Sequence, residues 1–185
     1  VTGMNACTMF AWWGFNLWIP AYLSLPAAAG GLGLSSGAMS ALVVAMQTGM
    51  WLGYLSFGYI ADRVGRRRAY RVFLIGAAAV ILLYGAVRRP ALLLLLGPIA
   101  AYFGTGYFSG FGALSAEIYP TGVRATGQGF SYNLGRVVSA LAPFAVGRLA
   151  ARHGFFTAFA LVSAAFLRAA LFWFWIPETR GRELE

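Results

Sequence analysis

The sequence predicts an all-α membrane protein of six transmembrane helices, and three observations carry that prediction. Hydrophobic residues make up 60% of the 185 positions and charged residues only 10%, too apolar for a chain with water on every side. Apolar runs of about twenty residues recur along it, long enough as helix to cross ~30 Å of hydrocarbon. None alternates as a barrel strand would, and lipid offers the backbone no hydrogen-bond partner, so each run must close its bonds as a helix.

The first span covers about 3–24 and stops at Leu25-Pro26-Ala27, inside an uncharged connection from Ser24 to Ser40. The second, about 38–60, runs into the segment Asp62 to Arg71, where one acid and five arginines cannot lie in hydrocarbon and must face water. The third, about 70–87, ends at Arg88-Arg89-Pro90, and the fourth, about 91–116, at Tyr119-Pro120-Thr121-Gly122. The fifth, about 126–150, ends at Arg152-His153-Gly154, and the sixth covers about 154–176. Proline and glycine at these breaks each have a backbone reason to end a helix.

Arginines on alternate sides set the orientation. Arg63, Arg66, Arg67, Arg68, Arg71, Arg124, Arg180 and Arg182 make eight on one side, against Arg88, Arg89, Arg148 and Arg152 on the other. Positive residues stay inside, so both chain ends are expected in the cytoplasm of a multi-pass membrane protein. All fourteen basic residues are arginine, which with the alanine and glycine content reads as a GC-rich genome, and the expected location is a bacterial inner membrane. The chain starts at Val1 without a basic leader or cleavage site, as a piece of a longer gene product would.

Other classes find no support. The net charge of +9 sits in loops and at helix ends rather than along one face, so nucleic acid is not an expected partner. Cys7 is the single cysteine, and no His, Cys, Asp or Glu grouping suggests a metal, a cofactor or an enzyme. Gly58-Tyr59-Ile60-Ala61-Asp62-Arg63-Val64-Gly65 recurs as Gly147-Arg148-Leu149-Ala150-Ala151-Arg152-His153-Gly154, an offset of 89 residues and three spans, which puts the copies on opposite sides as an inverted 3+3 repeat.

Three motifs carry a family resemblance. Gly58 through Asp62-Arg63-Val64-Gly65-Arg66-Arg67-Arg68 resembles the loop between the second and third helices of each half of major facilitator superfamily transporters. Ala116-Glu117-Ile118-Tyr119-Pro120-Thr121-Gly122-Val123-Arg124-Ala125 resembles the loop between their tenth and eleventh helices in the sugar-porter-like and organic-acid branches. Pro177-Glu178-Thr179-Arg180-Gly181 resembles the segment after their twelfth helix. The resemblance implies the carboxyl-terminal half of a twelve-helix fold, with an amino-terminal six-helix half as partner around a central cavity.

For the gate, the resemblance implies that Asp62 faces the start of the helix beginning near Thr126, held with motif arginines Arg63, Arg66 and Arg67. Such a charge-assisted contact is worth roughly 1.5–3 kcal/mol, enough to bias two conformations without locking either. Gly58 and Gly65 would let backbones approach and turn. Glu117, Arg124 and Glu178 join the cytoplasmic charge network by resemblance. Glu117 and Arg124 have three ways to pair: with each other, with the Asp62 loop, or with Glu178.

For substrate, Arg136 lies ten residues past Thr126, roughly 15 Å into span five at ~1.5 Å per residue. A guanidinium at that depth faces a cavity or a partner, and this chain offers no intramembrane acid, which leaves the missing half or an anionic substrate to neutralise it. A structural arginine bonded to backbone carbonyls is the alternative. Tyr132 and Asn133 stand four and three residues before it, on the same face. Gly127 to Arg136 looks like the matching segment of organic-acid symporters, including the lactate/sialate and aromatic-acid branches. In span one, Trp12 and Asn16 share a face as a stacking surface beside an amide, although tryptophans also serve as interfacial belts. Gln47 is a further candidate, with Tyr102 and Tyr107 behind it. Arg168, near the end of span six, is expected to snorkel. Gly49-x-x-x-Gly53 and Gly106-x-x-x-Gly110 allow close helix contact.

The expected function is the carboxyl-terminal half of a secondary transporter moving a small organic anion such as a carboxylate, by proton symport with alternating access. Coupling is implied by the family alone, since no carboxylate here sits in the membrane core. A sugar porter is the alternative within transporters, which Arg136 argues against. A non-transporting membrane module that pairs with another protein is the alternative outside them.

Overall fold

The structure, a computed structural model, describes residues 1–181, so Arg182, Glu183 and Glu185 lie outside the described residues. All regular structure is helical. The α-helices are α1 (Thr2–Ser24), α2 (Ser36–Val64), α3 (Arg66–Ala86), α4 (Pro90–Thr105), α5 (Phe111–Ile118), α6 (Arg124–Ser139) and α7 (Ala142–Leu171), with a 3-10 segment, Gly106–Gly110, joining α4 to α5. Four stretches are long and apolar enough to cross a bilayer: Ser36–Val64, Arg66–Ala86, Pro90–Ile118 and Thr121–Phe174. The 23-residue α1 is long enough as well, but its polar residues Asn5 and Thr8 point into the bundle and are buried there.

The 54-residue stretch is two crossings, not one. Gly154 inside α7 has φ 83° and ψ 165°, which no helix contains. Before it, Gly135 approaches Asn5, Gly14 approaches Val146, and Gly147 approaches Trp18, so this leg runs parallel to α1. After it, Phe155 packs on Tyr22 and Phe172 on Gly3, so the second leg runs back along α1. The bundle therefore crosses six times.

The Asp62 segment is tighter than a water-facing loop. α2 continues through Asp62 and Arg63 to Val64 and α3 begins at Arg66, leaving Gly65 alone between them at φ 95° and ψ 148°. This is nearly the backbone conformation of Gly154, and both glycines end a copy of the repeated octapeptide. A one-residue reversal needs positive φ, and side chains strongly disfavour it. At Gly65 a Cβ would also meet the Glu178 carboxylate at 2.7 Å, whereas at Gly154 it would meet nothing within 4 Å. Gly58 departs from the expectation of close backbone approach: it lies inside α2 with nothing within 4 Å of a Cβ position, on a face turned away from the neighbours that bury Phe57 and Ala61.

Between α2 and α4 the backbones do approach. A Cβ on Gly49 would sit 2.0 Å from the Pro98 carbonyl oxygen and one on Gly53 2.6 Å from that of Tyr102. Gly106 faces the Gly53 backbone and Phe73, and Gly110 faces the Phe57 ring. Aromatic rings fill the rest of the interior: Phe15, Tyr22, Tyr84 and Phe159 cluster at one end, while at the other Phe57 meets Tyr70 and Phe73 edge to face and Trp173 stacks on Tyr70. Tyr84 on α3 is fully buried, and α3 shows lipid only one side, through Val72, Ile75, Leu82 and Leu83.

Since the obstacle at Gly49 is backbone, Gly49→Val should cost roughly 1–3 kcal/mol or more of stability. Gly112→Ala, which meets nothing within 4 Å, should cost at most about 1 kcal/mol. Thermal denaturation of the two variants in detergent should separate them clearly.

Candidate substrate cavity and charge cluster

A cavity of about 460 Å³ opens between α1, α2, the broken fourth span and α6. α1 contributes Met9, Trp12, Trp13 and Asn16, and α2 contributes Gln47, Met50 and Tyr54 one helical face apart. Phe108, Phe111 and Gly112 arrive from the break between α4 and α5, and Tyr132 from α6. Trp12 is held from behind by Gly104, whose missing side chain leaves room for its ring. The wall is thus aromatic with two amides, Asn16 and Gln47, neither of which has a protein hydrogen-bond partner among the described residues. Trp18 faces elsewhere, donating its indole N–H to the Pro143 carbonyl at 2.9 Å.

α6 is fixed against α1 by a small polar knot. The Asn5 amide donates to the Ser131 carbonyl at 2.9 Å, and the Ser131 hydroxyl bonds Thr2 at 2.7 Å and Tyr119 at 2.6 Å. Tyr132 is thereby turned into the cavity. Arg136, one turn on, lies with its guanidinium carbon 6.0 Å from the Tyr132 ring centre, a cation over an aromatic wall.

Of the six residues expected to contact substrate, Trp12, Asn16, Gln47 and Tyr132 line this cavity, while Arg136 and Asn133 do not. Arg136 is exposed rather than enclosed, and among the described residues no carboxylate pairs with it. Asn133 sits about 100° round the helix from Tyr132 and spends its amide on the Gly129 carbonyl at 2.8 Å. Tyr102 accepts a hydrogen bond from Ser56 at 2.9 Å, and Tyr107 is buried in the core, so neither reaches the cavity. Trp13, Tyr54, Phe108 and Phe111 are lining residues that the sequence did not single out. The spacing of Gln47, Met50 and Tyr54 was a signal for Tyr54.

The charged residues gather at the end of the bundle where Gly65 turns. Arg66 stands at their centre. Its guanidinium meets Asp62 at 2.5 Å and reaches Glu117 with a fork, at 3.0 Å from Nη2 and 3.4 Å from Nε. Arg66 and Glu117 are largely buried, at 16% and 13% side-chain exposure, while Asp62 remains 66% exposed. Thr179 adds its hydroxyl to Glu117 at 2.5 Å. The Asp62 carboxylate pairs with Arg66, four residues on across the Gly65 turn, one of the motif arginines expected to hold it. Arg124 donates through Nε to the Tyr119 carbonyl at 3.2 Å, and Arg63 offers its carbonyl to Arg180 at 2.9 Å.

Glu178 serves α3. A helix begins with orphan N–H groups, and Gly65 has no side chain to cap them. The Glu178 carboxylate accepts from the backbone N–H of Arg66 at 2.8 Å and of Arg67 at 3.1 Å, capping α3 from 112 residues away. Burial pushes its carboxyl pKa up, but backbone N–H donors of Arg180, Arg67, Arg66 and Thr179 together outweigh that and hold it below the ordinary value. The chain's last segment is thereby bound to the second reversal.

A depressed folded-state pKa means stability that is complete above the ordinary carboxylate range and lost as pH falls through the folded value. Glu178→Ala should therefore lower stability by roughly 1 kcal/mol near neutral pH, the usual size of a lost cap. Below the ordinary value of 4.5 the gap to the parent should close. Melting temperatures of both proteins across an acid titration measure this.

A family model described as Major Facilitator Superfamily matches residues 1–185. The chain is 36% identical over 181 residues to a Haemophilus influenzae protein described as "Putative metabolite transport protein", covering 95% of this chain and 42% of that protein. It is 34% identical over 160 residues to the cis,cis-muconate transport protein of Acinetobacter baylyi, covering 85% of this chain and 37% of that one. A crystal structure of the peptide transporter POT in complex with sulfate superposes with a TM-score of 0.77 at 19% identity, over 94% of this chain and 36% of POT, which is a likeness of fold alone. The chain spans less than half the length of these relatives.

Proposed function

The chain belongs to the Major Facilitator Superfamily, and on that premise we propose that it forms the carboxyl-terminal half of a secondary transporter for a small organic anion, a carboxylate above all. The single observation that carries this reading is the cavity: aromatic walls, two unpaired amides, and the Arg136 cation lying over the Tyr132 wall. Aromatic faces suit a flat, unsaturated body, amides suit carboxylate oxygens or ring nitrogens, and an unpaired cation within reach suits net negative charge. A relative named for muconate, a conjugated dicarboxylate, supports the same class.

The amino-terminal half is the proposed partner. Val44, Trp51 and Leu55 on α2, and Val137, Leu141 and Phe144 on α6 and α7, form two exposed apolar stripes at near-heptad spacing. Helices that long with uncovered stripes invite other helices. Docked there, the second half would enclose Arg136 and complete the substrate site. It would also supply the proton-carrying acid, since the carboxylates described here gather at the Gly65 end rather than in the membrane core.

In this reading Asp62, Arg63, Arg66, Arg67, Glu117, Arg124 and Glu178 make the cytoplasmic gate, with Gly65 its pivot and Gly58 an open surface nearby. The pairs among them tie the α2–α3 turn, the end of α5 and the chain's last segment into one body, and Asp62 keeps an exposed carboxylate for the opposite half. Alternating access then consists of that body rocking against its partner.

Uptake of labelled muconate, an aromatic acid and a neutral hexose by the full-length transporter tests this. Acid uptake without hexose uptake is expected, with kcat/KM falling roughly tenfold or more in Arg136→Gln at unchanged expression. Hexose transport, or acid uptake indifferent to Arg136, would overturn the anion reading.

A further inference from the structure

We propose that the outer face of α3 is a binding site for an anionic phospholipid, with the headgroup phosphate on Arg68 and Arg71 and an acyl chain along Val72 and Ile75. A groove of about 480 Å³ runs along this face, lined by those four residues. The spacing is what makes it a site. Arg68 with Val72 and Arg71 with Ile75 are i, i+4 pairs, so two basic side chains lie directly above two apolar ones on one helix face. Val72 and Ile75 are 59% and 50% exposed, with no protein element over them. The charged end belongs to the first turns of α3, at the edge of the bilayer on the Gly65 side, and the apolar end lies one turn deeper. That is the order of headgroup and tail in a phospholipid.

The cations are also available. Both ion pairs among the described residues are made by Arg66, and Glu178 is occupied by backbone N–H groups. Arg71 donates through Nε to the Arg67 carbonyl at 3.3 Å, which holds the guanidinium plane beside the helix while its two terminal nitrogens have no protein partner. A fixed fork of this kind matches phosphate oxygens. A free phosphate would gain nothing from Val72 and Ile75, whereas an acyl chain lying along them fills the groove, so the geometry favours lipid over a soluble anion.

This inference rests on the chain lying in a bilayer and not on the identity of its substrate, so the two can fail separately. The test is native mass spectrometry of the full-length transporter given phosphatidylglycerol or phosphatidylcholine with the same acyl chains. Roughly tenfold better retention of phosphatidylglycerol is expected. R68Q/R71Q should abolish the preference, and R88Q/R89Q, the same charge loss at the other end of α3, should keep it. The single substitutions Arg68→Gln and Arg71→Gln, each with a partial loss, replace the double variant if it fails to fold. Equal retention of the two lipids by the unaltered protein, a preference that survives R68Q/R71Q, an equal loss in R88Q/R89Q, or displacement of the lipid by millimolar inorganic phosphate would each overturn the assignment.

Discussion

Everything in this fold depends on backbone hydrogen bonds closing inside each helix, because hydrocarbon supplies no other partner. Two of the places where that rule is relaxed show how the structure compensates. Gly65 leaves the first N–H groups of α3 without an intrahelical acceptor, and the Glu178 carboxylate takes two of them. The fourth span breaks at Gly106–Gly110 deep in the bundle, where Phe57, Phe73 and the Gly53 backbone cover it from lipid. Irregular backbone at such depth is tolerated only where protein or a cavity adjoins it, and the aromatic-walled cavity adjoins this one through Phe108 and Phe111.

The two functional regions divide the chemistry between them. The cavity holds aromatic faces and neutral amides, groups that bind weakly enough to release a passing solute. The Gly65 end holds the ion pairs, where the largely buried Arg66–Glu117 fork is too expensive to leave unpaired and so keeps α3 and α5 together. α6 spans the distance between them, with Ser131 bonded to Asn5 and Thr2 of α1 and to Tyr119, which stands two residues from Glu117. A displacement of the charged end would be carried by this helix to Tyr132 and Arg136.

Much of this was legible in the sequence, and the misses have specific causes. The Asp62 to Arg71 cluster required a turn, but a glycine in a string of letters does not display its φ, so Gly58 and Gly65 looked alike. The pairing of Asp62 with Arg66 follows from a four-residue spacing carried across a one-residue turn. Trp12, Asn16 and Tyr132 were readable by helical spacing, and Gln47 as a polar side chain within a span. Phe108 and Phe111 were not, because the 3-10 segment between α4 and α5 shifts every later face and defeats counting by 3.6. Trp13 escaped because neighbours on a helix diverge by about 100° and a pattern selects one of them, while a cavity at a helix corner uses both. The depth of Arg136 came from arithmetic, but its direction required knowing how Ser131 anchors α6.

The paired reversals at Gly65 and Gly154 also set where this chain tolerates added sequence. Each joins two membrane-long rods through a single residue, so even one inserted amino acid would rotate the next rod by about 100° and misalign its buried face along the whole length. The connection from Leu25 to Ser35 is the opposite case: its later half is tied by backbone bonds to Tyr22, Leu23 and Leu25, while the 3-10 turn Ala27–Ala29 stands exposed and is the place to carry an epitope, a fluorophore or a protease site. The same contrast makes the tight turns poor sites for natural length variation and the long connection a permissive one.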